Sequence, residues 1–227
     1  MKTTVLLLAL VSNVALAAGL KNFHALSSKV YRSAAPTTAA AGFLAQQGFT
    51  DVVIFKNETR HEVASEIQSL RVAGLNPAQI HHIPFRWDDE VPFGQACKQV
   101  LQALRILVAV EQSDQRRVLF HCSLGEDRTG LLAGLYRMLT QNWPVQKTFR
   151  QEMCAFGYEA GDTNKPPHVV NTIRSRLTPT FLKMAYLIQQ KSLTPGRLDE
   201  SICMSRLLQD AEVESWLRDR GHFICAP

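Results

Sequence analysis

The stretch that decides the fold is His121–Gly130, HCSLGEDRTG, reached through Arg117-Val118-Leu119-Phe120. Arg117 to His121 is a short apolar run between polar flanks, which predicts a buried strand. Thr129 to Thr140 has helical spacing and predicts a helix. The turn between them opens with a cysteine, carries a glycine midway, and closes with an arginine where the helix begins. Those parts suit an oxyanion. The backbone N–H groups of Ser123, Leu124, Gly125, Glu126, Asp127 and Arg128 can point inward as a nest for three oxygens. The N-terminus of the helix adds the positive end of its dipole. Gly125 allows a backbone conformation that a β-carbon would resist, and Arg128 offers a planar fork that matches two oxygens. The same field favours the Cys122 thiolate: a free thiol titrates near ~8.5, and helix N-termini or nearby cations bring this to about 3.5–7.5. A thiolate can attack phosphorus. The Thr129 hydroxyl can hydrogen-bond the sulfur, and His121 is better suited to ordering the loop backbone than to moving protons. A structural cysteine in a strand–loop–helix crossover would not need Gly, Arg and Thr at these offsets as well.

Outward from this segment, strands and helices alternate. Asn22 to Tyr31 leads into a short strand near Tyr31-Arg32. Thr37 or Thr38 can cap a helix through Gln47, with Gly48 ending it in the left-handed conformation. Thr50 to Phe55, TDVVIF, is a β-branched run and predicts a buried strand. A polar loop, Lys56 to His61, precedes a helix over Glu62 to Ala73 closed by Gly74. Gln79 to Pro84 predicts another strand, Phe85 to Phe93 a loop rich in charge and proline, and Gly94 to Ser113 a helix. Beyond the central segment, Val145 to Phe156, roughly His168 to Gln190, and Ser205 to Arg220 read as helical. The expectation is an α/β fold: a central, mainly parallel sheet flanked by helices on both faces, with a helical C-terminal extension.

The chain has 227 residues, 46% hydrophobic and 20% charged, a size and composition that suit one globular domain and exclude a disordered or fibrous class. Residues 1–17 read as an export leader: Lys2, an apolar run Val5 to Val11, and a small-x-small site at Ala15-Leu16-Ala17. Residues 18–227 are then one domain, with a core over about 20–165 and an extension over about 166–227. Export implies a periplasmic or secreted bacterial protein. No stretch outside the leader is apolar enough to span a membrane. The formal charge of +5 favours anionic ligands, but no basic run is interleaved with aromatics, so a nucleic-acid partner is not expected. The five cysteines, Cys97, Cys122, Cys154, Cys203 and Cys225, leave at least one thiol over in an oxidising compartment. If Cys122 stays reduced, the other four can pair. Cys203 with Cys225 is one expected bridge, the connectivity being open. Their spacings do not resemble a zinc site, and no metal or cofactor is expected.

The sequence of a Cys, five residues, an Arg and then a Thr resembles the signature of the protein-tyrosine-phosphatase superfamily. Asp127-Arg128-Thr129-Gly130 looks like its bacterial and atypical dual-specificity branch. So do Asn22-Phe23, Val30-Tyr31-Arg32-Ser33 with Pro36, Asp51 to Phe55, Tyr136-Arg137-Met138 with Trp143, and Glu152-Met153 with Gly157-Tyr158. The exported cysteine phytases are also similar, and a helical extension would suit them. The resemblance implies a phosphomonoesterase working through a phosphocysteine on Cys122. It also implies a general acid on a mobile loop, here FRWDDEVP over residues 85–92, where Asp88 and Asp89 are both candidates. Adjacent carboxylates raise one another's pKa, which suits a proton donor. Lys56 and Arg60, after the second strand, and Arg86, beside the acid loop, are expected to face substrate; Lys165 could join them. Glu126 departs from several relatives, which are basic there, and disfavours a very highly charged substrate unless it points to solvent. The expected partner is a phosphorylated small molecule or a phosphoprotein. Inositol polyphosphate is the leading class, and a protein-tyrosine or dual-specificity substrate is the alternative. Two readings of another kind compete. An idle phosphate-binding module would not need Cys122, Arg128 and the acids together, and a disulfide exchanger would want a second cysteine near Cys122.

Overall fold

The structure, a computed structural model, describes residues 19–86, 92–205, 208, 211–218 and 222–226. These fall into two compact units. One runs through Pro84 and takes in Val110–Gly125; the other is made of Phe85–Ala109 and the chain from Glu126 on.

The first unit holds a five-stranded sheet in the order β1-β2-β5-β3-β4. The strands are β1 (His24–Ala25), β2 (Val30–Ser33), β3 (Asp51–Ile54), β4 (Ile80–His82) and β5 (Val118–His121). β1 and β2 pair antiparallel; the other three pairings are parallel. The sheet is thus mixed and mainly parallel. β2, β3 and β5 are buried at every position, as parallel strands covered on both faces are, and this is why their sequences read as continuous rather than alternating apolar runs. One cross-strand row is Tyr31, Leu119, Val52 and Ile80. Helix α1 (Thr38–Gln46) and helix α2 (Glu62–Val72) cover that face with Ala40, Leu44, Val63 and Leu70, each fully or almost fully buried. Burying side chains the size of Leu44, Val63 and Leu70 contributes roughly 1.5–3 kcal/mol apiece. One pleat further along the same face, Ser33, His121, Ile54 and His82 stand in register at the C-terminal ends of the strands. In a parallel sheet that is the end that carries function.

Thr37 caps α1 by accepting from the Ala40 N–H, and Gly48 follows at φ +72°. The α2 cap is less regular. His61 sits there in the left-handed region without a side-chain bond. Glu58 takes over, accepting from the N–H groups of Thr59, Val63 and Ala64 at 2.9–3.0 Å. At the opposite end of the strands Asp51 gathers His81 at 3.0 Å, Arg116 and Thr50. Burial works against its charge, but these partners prevail and bring its pKa down to about 2. This occupies His81 as a structural partner.

The second unit is helical. It contains α3 (Phe93–Glu111, its last two residues counted with the first unit), α4 (Asp127–Gln141), α5 (Val145–Thr148), α6 (Pro167–Thr172), α7 (Thr178–Gln189) and α8 (Ala211–Arg218). The expected helix over 145–156 is a helical stretch that widens into a π turn at Phe149–Met153 and tightens to 3-10 geometry at Cys154–Phe156. Another π turn, Ile173–Leu177, joins α6 to α7. Gly134 of α4 is a point of close approach: a β-carbon there would lie 3.0–3.2 Å from Thr148, Phe181 and Met153. Phe149 packs its ring among Tyr158, Phe181 and Phe223 at centroid distances of 5.4–6.0 Å.

Two expectations need correction. The helix after the Cys122 loop begins at Asp127 rather than Thr129, because the Glu126 carbonyl already accepts from Gly130 N–H at 2.6 Å. Arg128 therefore lies within the first helical turn. The disulfides are Cys97–Cys203 and Cys154–Cys225, not Cys203–Cys225. Arg105 of α3 donates to the Leu198 carbonyl and to Glu200, drawing the 3-10 turn Glu200–Met204 onto α3, where Cys97 waits. Phe223, seated on Phe149, brings the C-terminal segment to Cys154. Cys122 takes part in neither disulfide. Residues 1–17, read as a leader, and the acid candidates Asp88 and Asp89 lie outside the described residues.

Candidate active site

β5 ends at His121, the loop runs from Cys122 to Glu126, and α4 starts at Asp127. Each half of the loop is fixed by its own unit.

The cysteine-bearing half hangs on backbone carbonyls. The Ser123 carbonyl accepts from Ala35 N–H at 3.0 Å, the Leu124 carbonyl from Asn22 Nδ2 at 2.9 Å, and the Gly125 carbonyl from Arg32 Nη2 at 2.7 Å. With its carbonyls bonded outward in this way, the loop can turn its N–H groups the other way, as an anion nest requires. Gly125 has φ +75°, and a β-carbon on it would lie 2.5 Å from the backbone of Ser33 and Ala34. Only glycine meets both conditions. Arg32 is fully buried, so its guanidinium serves the loop rather than solvent. His121 is also fully buried. Its Nδ1 donates to the Cys122 carbonyl at 2.8 Å, and its Nε2 lies 2.7 Å from Glu66 Oε1 on α2. Burial opposes a charge on this ring, but the Glu66 carboxylate outweighs it, and the His121 pKa is raised. Cys122 itself is only 3% exposed, whereas Ser123 and Leu124 are exposed. The thiol is covered, not displayed.

The arginine-bearing half is fixed by charge. Lys165 Nζ sits 2.7 and 2.9 Å from the two Asp127 carboxylate oxygens, 3.1 Å from Glu126 Oε2 and 2.7 Å from the Gly157 carbonyl. Burial raises the pKa of both Glu126 and Asp127, and Lys165 opposes that rise. Thr129 is fully buried in the first turn of α4.

The other residues expected to face substrate are placed differently. Lys56 is buried, with Nζ 3.2 Å from Glu62 Oε2, and its carbonyl accepts from His82 Nε2 at 3.0 Å. Arg60, at φ +49°, and Arg86 are exposed. Glu126 does not point to solvent; it is half-buried against Lys165 and Gly157. Sequence reasoning missed Glu66 as the partner of His121. One signal was available, since Glu66 falls on the buried stripe Val63, Glu66, Leu70 of α2, where a carboxylate needs a partner. It also missed Arg32 as a loop anchor, although an arginine inside a strand buried at all positions carries the same message. Among the described residues no cluster of three or more His, Cys, Asp or Glu is gathered to hold a metal, and no helix is long and apolar enough to cross a membrane.

Comparison with known proteins agrees with this architecture. The chain is 30% identical over 133 residues to the dual specificity protein phosphatase TpbA of Pseudomonas aeruginosa, covering 57% of this chain and 52% of that protein. It thus spans about half the length of the curated relatives it matches. A DUF442 protein of Shewanella putrefaciens is similar in structure, with a TM-score of 0.51 at 17% identity over 76% of this chain and 94% of the other. The core catalytic domain of the PP-IP phosphatase SIW14 of S. cerevisiae, solved with citrate, gives a TM-score of 0.50 at 19% identity over 69% and 93%. At these identities the structural likeness is one of fold. The profile of the Tyrosine phosphatase family matches residues 19–166, a span that takes in the whole sheet, the loop from Cys122 and the lysine that clamps it, and the chain belongs to that family.

Proposed function

We propose that the protein hydrolyses phosphate monoesters through a phosphocysteine on Cys122. The observation that supports this most is the loop after β5, its carbonyls bonded outward and Gly125 in a conformation and a space that exclude a side chain. In the proposed route the Cys122 thiolate forms a bond to phosphorus as the ester P–O bond breaks. The leaving oxygen takes a proton from Asp88 or Asp89. Water then attacks phosphorus, giving a proton back to the aspartate that had donated one, as the S–P bond breaks; inorganic phosphate leaves with the thiolate and the acid both restored. Arg128, the loop amides and the dipole of α4 stabilise the charge on the equatorial oxygens, and Thr129 hydrogen-bonds the sulfur. The route uses no metal or cofactor.

For the substrate we favour a singly phosphorylated group, such as a phosphorylated side chain on a protein, as the name of the TpbA relative suggests. Two lysines that could have met further phosphates are consumed by carboxylates, Lys56 by Glu62 and Lys165 by Glu126 and Asp127. Inositol polyphosphate is the second reading, supported by the exposure of Arg60 and Arg86. Two disulfides support an exported, periplasmic or secreted protein, because such bonds persist in oxidising compartments.

The test is phosphate release, with chelator present, from an aryl phosphate, a phosphotyrosine peptide and inositol hexakisphosphate. Cys122→Ser is expected to lower turnover of each by at least about a thousandfold while phosphate still binds. Turnover near that of the native chain in this variant would refute the phosphocysteine. The proposal requires a thiol that is reactive in the native protein even though it is covered: iodoacetamide should alkylate Cys122 without unfolding and phosphate should protect it; a thiol that reacts only after unfolding would equally end the proposal.

A further inference from the structure

Lys165 has three N–H donors, and three acceptor atoms take them: both Asp127 carboxylate oxygens and the Gly157 carbonyl, with Glu126 Oε2 completing an ion pair at 3.1 Å. Its side chain is 5% exposed. A lysine spent in this way has no donor left to offer a substrate. What it grips is the acidic pair directly before Arg128 in the chain. The segment Gly157–Lys165 wraps that pair closely. A β-carbon on Gly157 would lie 3.0 Å from both Cγ and Cδ of Glu126, and the Glu159 N–H donates to Asp127 Oδ1 at 2.9 Å. Glu159 is itself fully buried and takes Arg174 Nε at 2.5 Å on its carboxylate.

We propose that Lys165 is a positioning residue for the phosphate-binding loop: it neutralises Glu126 and Asp127 and ties them to the Gly157 backbone, so that the turn carrying Arg128 accepts an anion. The proposal rests on the phosphatase reading above. Its physical reason is a charge count. Glu126, Asp127 and Glu159 bring three carboxylates to the second half of an anion-binding loop. Asp162 adds a fourth acting on Glu126. The cations facing them are Lys165, Arg174 on Glu159, and Arg128 acting on Asp127. Remove Lys165 and no other lysine among the described residues is paired with the acids nearest Arg128. At alkaline pH they repel a phosphate and compete with it for Arg128. At acid pH they take up protons, which their burial favours, and the repulsion fades.

The experiment measures KM and kcat for an aryl phosphate, and the competitive Ki of inorganic phosphate, from about pH 5 to about pH 8. The proteins are native, Lys165→Met, Lys165→Arg, and a variant combining Lys165→Met with Glu126→Gln and Asp127→Asn. Ratios to native at each pH cancel the titration of phosphate itself. Lys165→Met is expected to weaken phosphate binding about tenfold at the alkaline end and about twofold at the acid end. Lys165→Arg should stay within about threefold of native, and the combined variant should regain most of the loss. A purely structural lysine predicts otherwise: a defect independent of pH, which neutralising the acids deepens. That result, or Lys165→Met matching native at every pH, overturns the proposal. If Lys165→Met does not fold, the combined variant decides alone, since weak phosphate binding by that variant when folded refutes charge neutralisation. Absence of any turnover in the native protein would instead strike the phosphatase reading.

Discussion

The two halves of the loop after β5 are held by different forces. From Cys122 to Gly125 the loop is fixed by shape and neutral acceptors: three backbone carbonyls taken by Asn22, Arg32 and Ala35, and a glycine pressed against the backbone of Ser33 and Ala34. From Glu126 to Arg128 it is fixed by ion pairs that pass from Asp127 through Lys165 and, by way of the Glu159 N–H, to Arg174. The difference has a use. The half that carries Cys122, the proposed nucleophile, needs one unvarying geometry, which steric contact gives at any pH. The half that carries Arg128 needs a balanced charge, which only titratable groups can set. The first half should therefore fail through volume, the second through charge.

Covalent ties sharpen the contrast. Both disulfides belong to the second unit, closing sequence separations of 106 and 71 residues. By the chain-entropy estimate each contributes on the order of 4 kcal/mol, the largest effect expected here. Reduction with dithiothreitol should raise amide hydrogen exchange in α4 and α7 while β2, β3 and β5 keep their protection. Loss of protection in the strands first would show that the crosslinks serve the sheet instead.

Next in size is Gly125→Ala. The added β-carbon would lie 2.5 Å from two backbone groups at a positive φ, and the expected loss is on the order of 3 kcal/mol by denaturant unfolding, with activity lost. Gly48→Ala is the control: φ is +72° but nothing lies within 4 Å, so about 1 kcal/mol is expected. Equal losses at both sites would mean that strain, not space, governs Gly125.

What the sequence made legible follows the same division. Val118–His121, Gly125, Arg128 and the helix after them are neighbours in the chain, and local spacing was enough to place them. So were the caps at Thr37 and Gly48. The anchors were not legible, because they come from far away: Asn22 and Arg32 reach the loop across 102 and 93 residues. Cysteine pairing was lost for the same reason, since Cys203 and Cys225 are near in sequence but are carried to Cys97 and Cys154 by different contacts. Lys56 and Lys165 show a subtler limit. A sequence reveals a cation near an anion site, but not whether it is already paired, and both lysines pair with carboxylates.

The smallest effect tests the buried histidine that adjoins the shape-held half. His121 lies between Glu66 and the Cys122 carbonyl, so a charged ring donates to the carbonyl from Nδ1 and pairs with the carboxylate at Nε2. Burial disfavours that charge and Glu66 more than restores it, leaving the folded pKa above the ordinary histidine value. The sign follows from linkage. Below about 6.5 the ring is protonated folded or unfolded, and its contribution to stability is complete. As pH rises from there through the raised folded value, the proton leaves and the contribution is lost. Glu66→Gln removes the attraction, so burial dominates and the folded ring gives up its proton at lower pH. Melting temperatures of native and variant should therefore differ most near pH ~6 and converge toward alkaline pH. A gap that stays constant across that range would mean the ring is neutral throughout, and that even this half of the loop is held by shape alone.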